Sequence, residues 1–220
     1  MWRRFDRVLV VAFLATAVVP AAHAASTLEE AKAHNREGIA LQGQGRLAQA
    51  CDEYRKAVRL QPEGGGYHNN LACVLKELDQ LTEAEKESRT AIRIKPARAD
   101  YHFNLGIILQ RQNHPDEAEA EYRKAISLET FDPEFHYRLA ELLARQAKPE
   151  DSEQEAKIAI TLKPGDSRYH KLLGDIYLQQ GKHEDSLLEY RKVLECSPNS
   201  LDAGDIQNKI NYLKQKLQVH

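Results

Sequence analysis

Five histidines stand one interval of 34 residues apart, His34, His68, His102, His136 and His170, and nothing else in the 220-residue sequence limits the fold so strongly. Three residues after each comes Glu37, Leu71, Leu105, Leu139 or Leu173, followed by Gly38, Ala72, Gly106, Ala140 or Gly174. A fixed period of this size means stacked copies of one supersecondary element, each touching its neighbours, in place of one globular core. Counting domains by length therefore does not apply, and the expectation is one continuous elongated body.

Within each period apolar residues recur at helical spacing in two blocks, as in His102, Leu105, Gly106 and Leu109 and then Ala118, Tyr122, Ala125 and Ile126, which predicts two helices of similar length. Between the blocks stand Gly45, Asp79, Asn113, Ala147 and Gly181. Four of these tolerate a left-handed backbone, and Ala147 marks the least well-specified turn. Ser26 and Thr27 each precede a glutamate by three residues, a capping-box spacing that sets a helix start near Leu28.

These phrases resemble the tetratricopeptide repeat family, whose pattern runs from an aromatic through Leu-Gly, a second aromatic and two alanines to a closing proline. The resemblance covers repeats 31–64, 65–98, 99–132, 133–166 and 167–200. The alanine slots hold Ala50, Ala84, Ala118, Ser152 and Ser186, then Ala57, Ala91, Ala125, Ala159 and Val193. Pro62, Pro96, Pro164 and Pro198 close four repeats, and Thr130 replaces proline in the third, with Pro133 nearby. The aromatics Tyr67, Tyr101, Phe135 and Tyr169 are expected to mortar one repeat to the next. After Pro198 an apolar stripe of Ile206, Ile210, Leu213 and Leu217 predicts a capping helix over about 201–218. The resemblance thus implies an all-α solenoid of five helix-turn-helix repeats over residues 25–220.

Arg3, Arg4 and Arg7 lead into an apolar run from Val8 to Val19, then Pro20 and Ala22-His23-Ala24. A basic start, a short apolar run and an A-x-A site read as a secretory signal over residues 1–24, cleaved before Ala25. Twelve apolar residues rise only about 18 Å as a helix, against about 30 Å of hydrocarbon, which argues against an uncleaved anchor. No cysteine follows the run, so no lipid anchor is expected, and the location implied is periplasmic or secreted.

Charged residues make up 29% of the chain at a net charge of -2, a balance that gives no broad basic field for nucleic acid. Five histidines in phase suggest a metal, but a shared ion needs nitrogens about 2.0–2.1 Å from it, while neighbouring helices alone pack about 8–10 Å apart. They are expected to be half-buried, neutral packing residues, so that stability would fall below about pH 6.5. Cys196 takes a slot held elsewhere by Leu or Ile and is expected to be buried; a bridge between Cys51 and Cys73 would need α-carbons within about 7 Å. No nucleophile, base and orienter assemble and no phosphate-cradling motif occurs, so the sequence assigns no catalytic residue, cofactor site or metal ligand, and an enzyme is not expected.

In the family the first helices line a concave groove. Carried onto this chain, that face holds Asn69, Asn70, Phe103, Asn104, Ile107, Arg111, Tyr137, Arg138, Glu141 and Arg145. Amides suit a peptide backbone, Phe103 and Tyr137 offer apolar area, and the arginines attract carboxylates. The family's carboxylate clamp is matched only by Asn104 and Arg138, because Asn69, Cys73 and Glu134 replace its lysine, asparagine and lysine. The resemblance implies an adaptor binding a peptide or protein; the leader makes it an exported one, and by analogy alone its setting is an envelope, pilus or secretion assembly. The alternative is a structural accessory subunit of an exported enzyme or a polysaccharide-synthesis machine.

Overall fold

The computed structural model describes residues 25–218 in full and 6–24 as backbone only; the expected leader, residues 1–24, lies outside the fully described residues. Every regular element among the described residues is an α-helix: α1 (Asp6–Gly43), α2 (Leu47–Leu60), α3 (Gly65–Glu77), α4 (Leu81–Ile94), α5 (Ala99–Arg111), α6 (Pro115–Leu128), α7 (Pro133–Arg145), α8 (Pro149–Leu162), α9 (Ser167–Gln179), α10 (His183–Cys196) and α11 (Ala203–Gln218). They form two compact units, Met1–Pro96 with α1 to α4 and Ala97–His220 with α5 to α11, each a run of helix-turn-helix repeats. In α1 the helix continues through Leu28 where a start was expected, and Glu29 pairs with Lys32 at 2.7 Å.

The turn inside each repeat follows one design. Gly45, Asp79, Asn113, Ala147 and Gly181 all have positive φ, from 56° at Ala147 to 74° at the glycines. The residue after each donates its amide to a carbonyl five residues back, as Arg46 does to Leu41 and Lys148 to Leu143, both at 3.0 Å. These bonds satisfy carbonyls that the ending helix leaves open. The next helix then starts on proline at Pro115 and Pro149, where no amide is needed. Pro133 likewise opens α7 with Asp132 capping it, which is how the third repeat closes without its own proline.

The alanine slots Ala50, Ala57, Ala84, Ala91, Ala118 and Ala125 are fully buried between paired helices. Ser152 and Ser186, in the same column, are buried as well and donate their hydroxyls to the carbonyls of Ala140 and Gly174, at 2.7 and 2.8 Å. The slot behind the Leu-Gly phrase alternates. Tyr54, Tyr122 and Tyr190 lie over Gly38, Gly106 and Gly174, so closely that a β-carbon on any of the glycines would fall 2.6 to 2.8 Å from the ring. In the two repeats between them the glycine is Ala72 or Ala140 and the tyrosine is Ser88 or Ala156. Ala140 and Ala156 cluster with Leu173, Ile176 and Tyr177, so the space is filled from the following repeat.

Two expectations change. The histidines do more than fill space: Nδ1 of His34, His68, His102, His136 and His170 meets a carboxylate oxygen of Glu53, Glu87, Glu121, Glu155 and Glu189 at 2.5 to 2.6 Å. The partner lies 19 residues on, on the second helix of the same repeat, so each pair ties two helices together. Cys196 is exposed at the end of α10, because that helix turn projects beyond the α10 to α11 contact formed by Tyr190, Val193, Ile206, Ile210 and Leu213. Cys51, buried, and Cys73, half-buried, form no disulfide.

Candidate functional site

In the Ala97–His220 unit the first helices α5 and α7 bear Phe103, Asn104, Ile107, Arg111, Tyr137, Arg138, Glu141 and Arg145, all of the predicted residues except two. Asn69 and Asn70 belong to α3 of the other unit. Asn69 is buried, and Asn70 donates to Asn35 Oδ1 at 2.9 Å, so both are engaged within their own unit. The two aromatics are less open than a ligand anchor should be. Phe103 stacks at 4.6 Å on Phe135 and at 5.8 Å on Tyr122, and it backs the cluster of Ala99, Ala125 and Phe135. Tyr137 stacks at 5.1 Å on Tyr169. The mortar between repeats is thus an aromatic pair, one member from the predicted column and one from the first-helix face.

The arginines are committed too. Arg145 donates to Glu141 at 2.9 Å, Arg138 reaches both Glu141 at 3.2 Å and Glu134 at 3.1 Å, and Arg168 of α9 donates to Glu134 at 3.1 Å and to Asp166 at 2.8 Å. Arg138 and Arg168 also lie over the Tyr137 ring, 5.5 and 5.3 Å from its centre. Arg168 and the carboxylate of Asp166 strengthen each other: that guanidinium, helped by Lys163, holds the Asp166 carboxyl down at about 2 against the pull of burial. Burial opposes the charge on Arg138, but Glu134 and Glu141 outweigh it and raise its pKa. The row is therefore charge-balanced, and the expected bias toward an acidic ligand has no surplus of positive charge behind it.

Beside this row the surface is hollow. A cavity of about 470 Å³ is walled by Tyr137, Glu141, Arg168, Lys171, Asp175 and Asp202, with Leu172 and Val193 as its apolar part and a Lys171–Asp202 ion pair across its mouth. A second, of about 240 Å³, shares Glu141, Leu172 and Asp175 with it and extends along Ala144, Arg145 and Gln179. The two hollows adjoin along α7 and α9 as one channel-like surface, with Leu172, Glu141 and Asp175 lining both. Arg168, Lys171, Leu172 and Asp175 were absent from the predicted set, although they lie on the same face one repeat after Glu134, Tyr137, Arg138 and Glu141. A depression of about 480 Å³ in the other unit, between α1 and α2, is lined by long charged chains including Arg46, Arg55 and Arg59, with Leu41 as its only large apolar residue. It is less suited to a peptide. Among the described residues no cluster of His, Cys, Asp and Glu is arranged to hold a metal, and no helix is long and apolar enough to cross a membrane.

Comparison with known proteins bears on the repeats. Tetratricopeptide repeat sequence patterns match residues 31–63 and, in overlapping segments, 69–134, 103–167 and 137–200. No curated protein sequence gives a significant match. Among solved structures, the chain is similar to the MamA protein, at 18% identity over 77% of this chain and 93% of that one, with a TM-score of 0.69. It is similar to YrrB, described as a TPR protein with an unusual peptide-binding site, at 19% identity, 80% and 90% coverage and a TM-score of 0.66. PilF of Pseudomonas aeruginosa matches at 17% identity, 88% and 92% coverage and a TM-score of 0.73. At such identities the likeness is one of fold.

Proposed function

The chain belongs to the tetratricopeptide repeat family, and on that premise we propose that it is an exported adaptor that holds an extended peptide or protein segment along α7 and α9. The observation that carries this reading is the channel over Leu172, bordered by Tyr137, Glu141, Arg145 and Asp175. Its combined size suits several side chains of a peptide, and its lining joins the apolar Leu172, Ala144 and Val193 to convergent polar groups, as a ligand cleft does. Because the charges along it are paired, the segment it takes is of mixed or neutral charge, held by side-chain fit at Leu172 and by hydrogen bonds to the rim. Export rests on the basic, apolar and A-x-A features of residues 1–24. A place in an envelope, pilus or secretion assembly follows from that address and is the broadest part of the proposal.

Crosslinking in the native compartment identifies the partner, and purified components then test the site. Arg145→Ala and Leu172→Ala are expected to weaken binding by about 1–3 kcal/mol, and Lys124→Ala, on the second-helix side, to leave it unchanged. Wild-type affinity in both channel variants would remove the assignment. N-terminal sequencing of the exported protein should read from Ala25; Trp2 near the N-terminus would overturn the leader. A structural accessory subunit is favoured by one observation, Phe131, which is 81% exposed on the turn between α6 and α7 beside exposed Leu128. Loss of the partner on Phe131→Ser, with the channel variants unaffected, would select that reading.

A further inference from the structure

We propose that the His68–Glu87 and His136–Glu155 pairs are proton-dependent latches, each tying the two helices of a repeat together and to the turn before it, and that they loosen as pH rises past neutrality. In His68 the ring stands between two acceptors: Nδ1 is 2.5 Å from Glu87 Oε2 and Nε2 is 2.8 Å from the Pro62 carbonyl. His136 repeats this with Glu155 at 2.6 Å and the Thr130 carbonyl at 2.9 Å, and His170 with Glu189 at 2.6 Å and the Pro164 carbonyl at 2.9 Å. A carbonyl oxygen and an ionised carboxylate can only accept, and a neutral imidazole has one N–H to give. Satisfying both contacts takes one more proton, on the ring or on the carboxyl oxygen facing it. Wherever that proton sits, the pair holds one more than a neutral ring beside a carboxylate. Its loss leaves a nitrogen lone pair facing an oxygen lone pair in a largely buried place, which opens the contact.

The surroundings of the two best-defined pairs are simple. His68 is faced by Glu87 and, more distantly, Arg93, both from α4; His136 is faced by Glu155 from α8 and Asp132 from the preceding turn. Burial works against the charged ring in both, but the carboxylate and the backbone carbonyl outweigh it, so both pKa values lie above the ordinary histidine value. A group whose pKa is raised on folding gives its full stabilisation below the unfolded value, about 6.5, and loses it as pH climbs through the folded value. The expected dependence is therefore opposite in sign to that of buried neutral histidines.

The test uses the whole chain and the double variant Glu87→Gln with Glu155→Gln. A glutamine amide can donate to Nδ1 of a neutral ring whose Nε2–H still serves the carbonyl, so the latch survives without the additional proton. The urea midpoint of the wild type should fall between about pH 6 and 8.5, and the double variant should lose a distinct part of that slope while other titrating groups contribute equally to both. An unchanged slope in a folded double variant, or no slope in the wild type, overturns the proposal. Should the variant not fold, nitrogen NMR of the wild-type imidazoles at about pH 7.5 decides, since that lies above the unfolded value. Protons on both ring nitrogens of His68 and His136, or a ring bare at Nδ1 beside a carboxyl of Glu87 or Glu155 that carbon NMR shows protonated, support the latch, and a bare ring nitrogen beside an ionised carboxylate overturns it.

Discussion

A β-carbon placed on Gly106 would lie 2.6 Å from Cε1 of Tyr122, a ring held by its hydroxyl's bond to Gln110 at 2.7 Å and by a tilted contact with Phe103 at 5.8 Å. Gly106→Ala should therefore destabilise the protein by about 1–3 kcal/mol through overpacking. Tyr122→Ala should cost about 3–5 kcal/mol as a cavity. Together they rebuild the pairing found naturally at Ala140 and Ala156, so the double variant should lose at least about 1 kcal/mol less than the sum of the two. Urea denaturation of the four proteins measures this. Simple additivity would show that the two positions do not share one space.

Ala147 has φ of 56°, a left-handed conformation in which its β-carbon crowds the following carbonyl. Glycine relieves the crowding but loses more chain entropy, so Ala147→Gly should stabilise by about 0.5–1 kcal/mol. A lowered melting temperature would mean that the turn is held by contacts of the methyl group.

Glu153 joins successive repeats, accepting from Lys157 at 2.7 Å and from Lys182 at 2.8 Å. Burial pushes its pKa upward, but the two lysines prevail and hold the carboxyl at about 2. A carboxyl depressed on folding stabilises above its unfolded value, about 4.3, and loses that contribution as pH falls toward the folded one. Glu153→Gln should thus lower stability by about 1 kcal/mol at neutral pH, the range for ion pairs near the surface, and by almost nothing near pH 2. A difference that is constant across the acid range would count against the pair.

Tyr137 and Arg145 both border the channel, yet only the first is built into the body. Tyr137→Ala removes the stack on Tyr169 and the seat of two guanidinium groups, and should cost about 1–3 kcal/mol. Arg145 is largely exposed and bonded only along its own helix, so Arg145→Ala should stay within about 0.5 kcal/mol. The melting temperatures of the two variants separate a binding role from a structural one, and equal losses would mean that Arg145 is also part of the framework.

The paired helices, their left-handed turns and the aromatic columns could be read from the sequence because each depends on residues near one another or on a repeated slot. The partners of the histidines were harder to see. Glu53, Glu87, Glu121, Glu155 and Glu189 recur with the same period, but a glutamate on a charged helix looks like a solvated residue until a second helix brings it 2.5 to 2.6 Å from a ring. The alternation of tyrosine over glycine with small residues over alanine was equally present and equally mute, since only the distance between paired helices makes the two columns depend on each other. On the candidate face, position within the repeat located Tyr137, Arg138 and Arg145. It could not show that their charges and rings were already engaged, and it passed over Leu172, whose importance comes from the hollow above it.

Along that face every charge from Arg145 through Glu141, Arg138 and Glu134 to Arg168 and Asp166 has an opposite within 3.2 Å. Such a row casts little field beyond a Debye length of about 8 Å. An arriving partner is not drawn in from a distance, and its association rate constant should sit near the unsteered range of about 10⁵–10⁶ M⁻¹ s⁻¹, nearly indifferent to added salt. Discrimination between partners then falls to how long each one stays.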